Sequence, residues 1–148
     1  MATVRTVRED ELLELYRTLN PDDPVLDPTE VADLWAEMLA DDSLEILAVE
    51  RDDRLVSSCV LSVTRNLTRR ARPFAVVENV VTHEDYRNRG FGKRCVRAAI
   101  ERAAERDCYK VMLLTGSDSE WKHEFYEDCG FDGDEKTGFV RYLDSVGD

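Results

Sequence analysis

The chain has 148 residues and a formal net charge of −12. That length argues for one domain, residues 1–148, and that charge against binding along a nucleic-acid backbone, where affinity rests on dense Lys and Arg. Apolar residues make up 43% of the chain, so a folded core is expected rather than disorder; a domain of this size buries about 68–70% of its unfolded surface.

The elements read as follows in chain order. Thr3 to Val7 alternates and predicts a short strand. Glu9 to Leu19 predicts a helix with Leu12, Leu15, Tyr16 and Leu19 on one face, and Asn20-Pro21-Asp22-Asp23-Pro24 breaks it. Asp27 is placed as an N-cap, with Pro28 at the first helical position and Glu30 at capping-box spacing. The helix that follows runs to about Ala40 and should bury Val31, Leu34, Trp35 and Met38. Leu44 to Glu50 and Leu55 to Val63 predict a hairpin around Arg51-Asp52-Asp53-Arg54. After an arginine-rich loop, Asn66 to Arg72, the run Phe74 to Thr82 predicts a strand apolar enough to be buried on both faces. A helix over Gly92 to Arg106 comes next, with Cys95, Val96, Ala99, Ile100 and Ala103 as its inner stripe. Then come a strand at Val111 to Leu114, a helix over Ser119 to Cys129 ended by Gly130 as a left-handed cap, and a last strand at Gly138 to Leu143. This order predicts an α/β (α+β) fold with a mixed sheet flanked by helices.

The cysteines Cys59, Cys95, Cys108 and Cys129 show no Cys-x-x-Cys spacing, and His83 and His123 are the only histidines. No metal site is expected, and the thiols are expected to be reduced. With no signal-like N-terminus and no apolar run near 18 residues, a cytoplasmic protein without a membrane span is expected. Asn66-Leu67-Thr68 is a formal glycosylation sequon, which carries weight only on a secretory route.

The most informative stretch is Val76 to Arg94: a β-branched run, a polar turn, a short basic loop with two glycines, then an amphipathic segment. Such a strand–loop–helix junction aims backbone N–H groups and the positive end of a helix dipole at one spot, where phosphate oxygens can sit. The dinucleotide fingerprint needs a third glycine where Cys95 stands. The NTPase loop needs Ser or Thr where Arg94 stands and Gly where Arg87 stands. A third pattern, Arg/Gln-x-x-Gly-x-Gly/Ala, is matched by Arg87-Asn88-Arg89-Gly90-Phe91-Gly92. The plain alternative is a strand-to-helix turn whose glycines only permit unusual dihedrals.

That hexapeptide resembles the acetyl-CoA pyrophosphate loop of the GNAT N-acetyltransferase family. Downstream, His123-Glu124-Phe125-Tyr126-Glu127-Asp128-Cys129-Gly130-Phe131 resembles the family's aromatic-Tyr-x-x-x-Gly-Phe ending. The two motifs stand in the family's order, and the resemblance covers about Phe74 to Val140. It implies a GNAT-type, mostly antiparallel sheet with splayed strands and acetyl transfer from acetyl-CoA to a primary amine by direct attack in a ternary complex. Val80, Val81 and Thr82 would lend backbone groups to the thioester arm. Amides and side chains of Arg87, Asn88, Arg89, Gly90, Phe91, Gly92 and Lys93 would meet the diphosphate. Glu78 matches the position of a base in several members, and Tyr126 that of the acid protonating the leaving thiolate. Many members carry Asn seven residues before that Tyr; here the position is Ser119, whose hydroxyl can still donate to the cofactor. Catalysis by Cys129 is disfavoured because no adjacent base is evident.

For the acceptor, Glu78-Asn79-Val80-Val81 and Cys108-Tyr109-Lys110-Val111 are similar to segments of glucosamine-6-phosphate N-acetyltransferases. Arg65, Arg69, Arg70 and Arg72 suit an anionic acceptor such as a sugar phosphate, whereas the acidic Asn20 to Asp27 loop suits a cationic amine. A small molecule and a peptide remain alternatives, as does a non-catalytic acyl-CoA-binding regulatory module, against which the intact Glu78 and Tyr126 argue. A homodimer is expected because many relatives are dimers.

The cations comprise 16 arginines and 4 lysines beside 32 acidic residues, a halophile-like acidic composition whose self-repulsion salt would screen. The expected outcome is a gain in unfolding free energy between low and molar salt, read from denaturant curves; no gain would remove the salt-adaptation reading.

Overall fold

The computed structural model describes residues 7–116 and 119–144. Its elements are α1 (Glu9–Leu19), α2 (Pro28–Ala40), β1 (Leu44–Arg51), β2 (Arg54–Thr64), a 3-10 turn (Arg69–Ala71), β3 (Phe74–Thr82) and a second 3-10 turn (Glu84–Tyr86). After these come α3 (Phe91–Glu105), β4 (Val111–Met112) and α4 (Glu120–Asp128). They fall into two compact units, divided between Leu113 and Leu114.

The first unit holds one sheet in the order β1-β2-β3-β4. β1, β2 and β3 are antiparallel neighbours, and β4 runs parallel to β3. The β1–β2 hairpin closes through Asp52 and Asp53 at φ 54° and 59°. Two successive positive φ values give the turn twist that suits a tight hairpin, and Asp tolerates them. One face of the sheet carries α3: Phe91, Cys95, Ala99 and Ala103 pack on Leu47, Val49, Val56, Cys59, Leu61, Val63, Ala75 and Val77. The small residues of the α3 stripe let helix and sheet approach closely. The other core cluster joins Leu12 and Leu15 of α1 to Val7, Ala48, Leu55 and Val81. At the far end of α3, Arg102 reaches β1: its Nε donates to Glu45 Oε1 at 3.1 Å, and the two form an ion pair.

Several expectations need correction. The strand expected at Thr3 to Val7 lies outside the described residues apart from Val7, which is buried but not in a strand. Asp27 caps α2 as expected, its Oδ1 accepting from the Thr29 and Glu30 amides at 2.8 and 3.4 Å. Yet α2 buries none of its residues fully, and Leu34 is 53% exposed. Apolar spacing fixes which residues share a face, not how deep that face sits. β3 is not buried on both faces: Glu78 and Asn79 are exposed. β4 is only two residues long.

In the second unit, α4 follows Ser119, whose carbonyl accepts from the amides of Lys122 and His123. Gly130 takes φ 99° after the helix, as a left-handed cap requires, and its N–H bonds to the Glu127 carbonyl at 2.9 Å. The strand expected at Gly138 to Leu143 does not form: the segment has no ladder, and Phe139, Tyr142 and Leu143 are 88%, 80% and 90% exposed. Alternation supplies a face, but a strand also needs a partner for its backbone groups.

The Leu47 side chain is wholly buried at the centre of the α3-facing cluster. Leu47→Ala is expected to cost about 3 kcal/mol, read as a lower urea midpoint with an unchanged slope.

Candidate active site

The site begins with a misfit in the β2–β3 ladder. Ser58 pairs with Val81 and Val60 with Glu78, so Asn79 and Val80 together face the single residue Cys59. That is a β-bulge on β3, and Asn79 provides it with φ 52°. Asn is among the few side chains that tolerate this left-handed conformation. A bulge bends its strand, sharpens the twist and re-aims the side chains beside it. Glu78 is the exposed residue immediately before it.

On its other edge β3 is paired only at Ala75 and Val76, with Val111 and Met112. Among the described residues no strand continues that ladder from Val77 to Thr82. Backbone groups of successive strand residues point to alternate edges. The Ala75 N–H donates to the Lys110 carbonyl on the β4 side, while beyond the bulge the His83 N–H donates to the Val56 carbonyl on β2 at 2.7 Å. Val81 and His83 therefore face β2, and Val80 and Thr82 turn their backbone groups to the open edge. The Ser57 hydroxyl donates to the Val81 carbonyl at 3.0 Å, which agrees. An extended chain laid along the open edge would meet the ladder groups of Val80 and Thr82.

The loop that follows is tightly built. His83 Nδ1 accepts from the Asp85 amide at 3.1 Å, and the Tyr86 amide donates to the His83 carbonyl. The Tyr86 hydroxyl donates to Asp52 on the β1–β2 turn at 3.4 Å. Arg87 Nε donates to the Thr82 carbonyl at 3.3 Å, and the Arg89 guanidinium lies over the Tyr86 ring, 5.3 Å from its centre. Asn88 and Gly90 have φ 63° and 83°. The left-handed Gly90 is the N-cap of α3, and its carbonyl accepts the first helical bond, from the Arg94 amide at 3.1 Å. Phe91 and Gly92 are buried, so the start of the helix is anchored in the core, and Lys93 is half-buried. The leading amides of a helix have no acceptor within it and carry its positive dipole end. Such amides, with Arg87, Arg89 and Lys93 nearby in sequence, are of the kind that can meet an anion.

In the second unit, the Tyr126 ring stands edge-on to Phe125 and Phe131, with centroids 5.0 and 6.2 Å away. The Tyr126 carbonyl accepts from the Phe131 amide at 3.1 Å. Ser119 sits half-buried as the residue that opens α4. Among the described residues no cluster of His, Cys, Asp and Glu is arranged to hold a metal ion, and no helix is long and apolar enough to cross a membrane.

The arginine loop is more occupied than its composition implies. Arg72 donates from Nε and Nη2 to the Asp107 and Cys108 carbonyls, both at 3.2 Å, and pairs with the Asp107 carboxylate. Arg69 stacks over Tyr109. These two tie the loop to the α3–β4 connection, and Arg65 and Arg70, like Arg69, are exposed. The loop enters β3 at Phe74, four residues or about 13 Å along the strand from Glu78.

The fold and motifs agree with the comparisons to known proteins. Residues 12–131 match the model of the acetyltransferase (GNAT) family, and the chain belongs to that family. It is 33% identical over 127 residues to glucosamine 6-phosphate N-acetyltransferase 1 of rice, covering 80% of this chain and 72% of the relative. It is 35% identical over 83 residues to the glucosamine 6-phosphate N-acetyltransferase of Trypanosoma brucei brucei, 56% of this chain and 54% of that one. Among solved structures, one from Agrobacterium tumefaciens, provisionally assigned as an acetyltransferase, superposes with a TM-score of 0.86 at 43% identity. That match covers 96% of this chain and 99% of the other. The chain is thus an acetyl-CoA-dependent N-acetyltransferase. The residues described above are chemically suited to that donor: an unpaired strand edge would suit a thioester arm, and the Gly90 corner with the α3 amides a diphosphate.

A Cβ at Gly90 would meet no atom within 4 Å, but the φ of 83° would strain any other residue. Gly90→Ala is expected to lose about 1 kcal/mol of stability and to bind acetyl-CoA severalfold more weakly by calorimetry. Unchanged affinity would detach this corner from the cofactor.

Proposed function

We propose that this enzyme, acting as one domain, acetylates the amino group of a small amino-sugar phosphate, with glucosamine 6-phosphate as the acceptor to test first. The observation that carries this reading is the similarity to the rice glucosamine 6-phosphate N-acetyltransferase over 80% of the chain. The broader expectation, any small-molecule or peptide amine, has no comparable support.

The chemistry assigned to this chain's residues is as follows. Acetyl-CoA supplies an activated acyl group. The amides from Asn88 to Lys93, with Arg87 and Arg89, hold its diphosphate, and the Ser119 hydroxyl adds a contact. The open-edge groups of Val80 and Thr82 align the thioester arm, and a backbone N–H there donates to the carbonyl oxygen as charge builds on it; Val81, whose backbone groups face β2, takes no part. A well-aimed donor of this kind is worth about 3–4 kcal/mol. Glu78, re-aimed by the bulge, takes a proton from the ammonium through a water, so that a neutral amine attacks the acyl carbon. As the carbon–nitrogen bond forms and the carbon–sulfur bond breaks, the Tyr126 hydroxyl gives its proton to the departing thiolate. Covalent catalysis at the buried cysteines is unsupported: the Cys95 thiol and burial push the Cys59 thiol far above its ordinary range, so it stays protonated. A homodimer completes the proposal, on the expectation from relatives alone.

The test is thiol release from acetyl-CoA with glucosamine 6-phosphate, glucosamine and unrelated amines. Glucosamine 6-phosphate is expected to give the highest kcat/KM, with Tyr126→Phe and Glu78→Gln each lowering kcat by about 10²-fold or more. Equal rates with glucosamine and its phosphate would overturn the acceptor, and unchanged rates in either variant would overturn that residue's role.

A further inference from the structure

Tyr16 lies on the inner face of α1, one residue after the buried Leu15 and one turn after Leu12. Its ring packs on the cluster that contains Ala48, Leu55 and Val81, beside Trp35 and Ile46. Its hydroxyl is the one buried side-chain oxygen or nitrogen among the described residues with no hydrogen-bond partner. The polar group closest in effect is the Asn79 side chain. Burial pushes the Tyr16 phenol up to about 12, and Asn79 opposes that shift, although the two do not meet in good hydrogen-bond geometry. Tyr16 is therefore a neutral donor rather than a base.

Where this hydroxyl stands gives it meaning. α1 packs against β3, and the neighbour it presents to Tyr16 is the bulge residue, next in sequence to the exposed Glu78. A desolvated, unsatisfied hydroxyl costs roughly 1–3 kcal/mol, and phenylalanine would fill the same space without that cost. The penalty disappears once a polar atom arrives at the bulge on the α1 side of the sheet. The diphosphate seat does not supply that atom, because it lies at the other end of the turn, at the start of α3 on the opposite face.

We infer that Tyr16 is an acceptor-binding residue: its hydroxyl, beside the Asn79 amide, donates a hydrogen bond to a polar atom of the amine substrate held against the β3 bulge. The inference rests on acetyl transfer at β3 but not on which amine is used. It gives α1 a share in acceptor specificity, since an analogue lacking that polar atom would leave the hydroxyl unpaired again.

The experiment compares wild type with Tyr16→Phe on the fastest amine of a panel that includes glucosamine 6-phosphate, glucosamine and simple alkylamines. The variant is expected to raise the amine KM about tenfold, the factor that ~1.4 kcal/mol represents. The KM for acetyl-CoA should stay unchanged and the Tm of the free enzyme should hold or rise. Without any amine, acetyl-CoA should protect both proteins equally against heat. An unchanged amine KM overturns the inference, as does an equal rise in both KM values or a lowered Tm with no KM effect, since each marks a purely structural hydroxyl. If glucosamine 6-phosphate is inert and another amine is turned over, the sugar-phosphate assignment falls, and the same comparison on that amine decides Tyr16.

Discussion

The structure depends on one constraint at β3: a central strand that must pair on both sides is kept from doing so. On the β2 side, Asn79 and Val80 share the place of one residue. On the β4 side, the ladder stops after two pairs. Unpaired backbone groups inside a fold are costly unless something meets them, so an open edge beside a bulge is a standing demand for a partner. In the function proposed above that partner is the extended arm of the acyl donor, and the catalytic geometry would follow from this flaw in the sheet.

The rest of the first unit holds that flaw in place. α3 is fixed at its start by the buried Phe91 and Gly92 and at its end by the Arg102–Glu45 pair, so the leading amides cannot drift relative to β3. The loop between them is stapled to β3 through Arg87 and Thr82, and to the β1–β2 turn through Tyr86 and Asp52. Rigid elements thereby carry the proposed anion seat, although its residues lie in a loop.

Much of this was legible in the sequence, because the signals were local. Gly90 and Gly92 marked the strand-to-helix corner, Asp27 and Pro28 a helix start, and Gly130 a helix end. The bulge has a sequence signal of its own, since Asn79 is the one residue between Phe74 and Thr82 that tolerates φ > 0, but the valines around it read as an unbroken strand. At Gly138 to Leu143 the sequence pattern and the structure differ because alternation speaks of faces and not of partners. α2 differs for a related reason, since Leu34 sits at core spacing on a helix that buries none of its residues fully. The unsatisfied Tyr16 hydroxyl had no signal at all, because it depends on where α1 is laid against β3.

The sulfurs of Cys59 and Cys95, 3.5 Å apart and joined by a thiol hydrogen bond rather than a disulfide, sit directly behind the bulge. Cys59 is the residue that the two bulge positions face, and both side chains are fully buried. Only a thiolate reacts quickly with alkylating agents, so these two stay silent for as long as β2 and α3 remain packed. Cys108 and Cys129, each half-buried, have no such shelter. The chain thus carries its own reporter: delayed labelling at Cys59 and Cys95 times the opening of the sheet at its active edge, with no probe added.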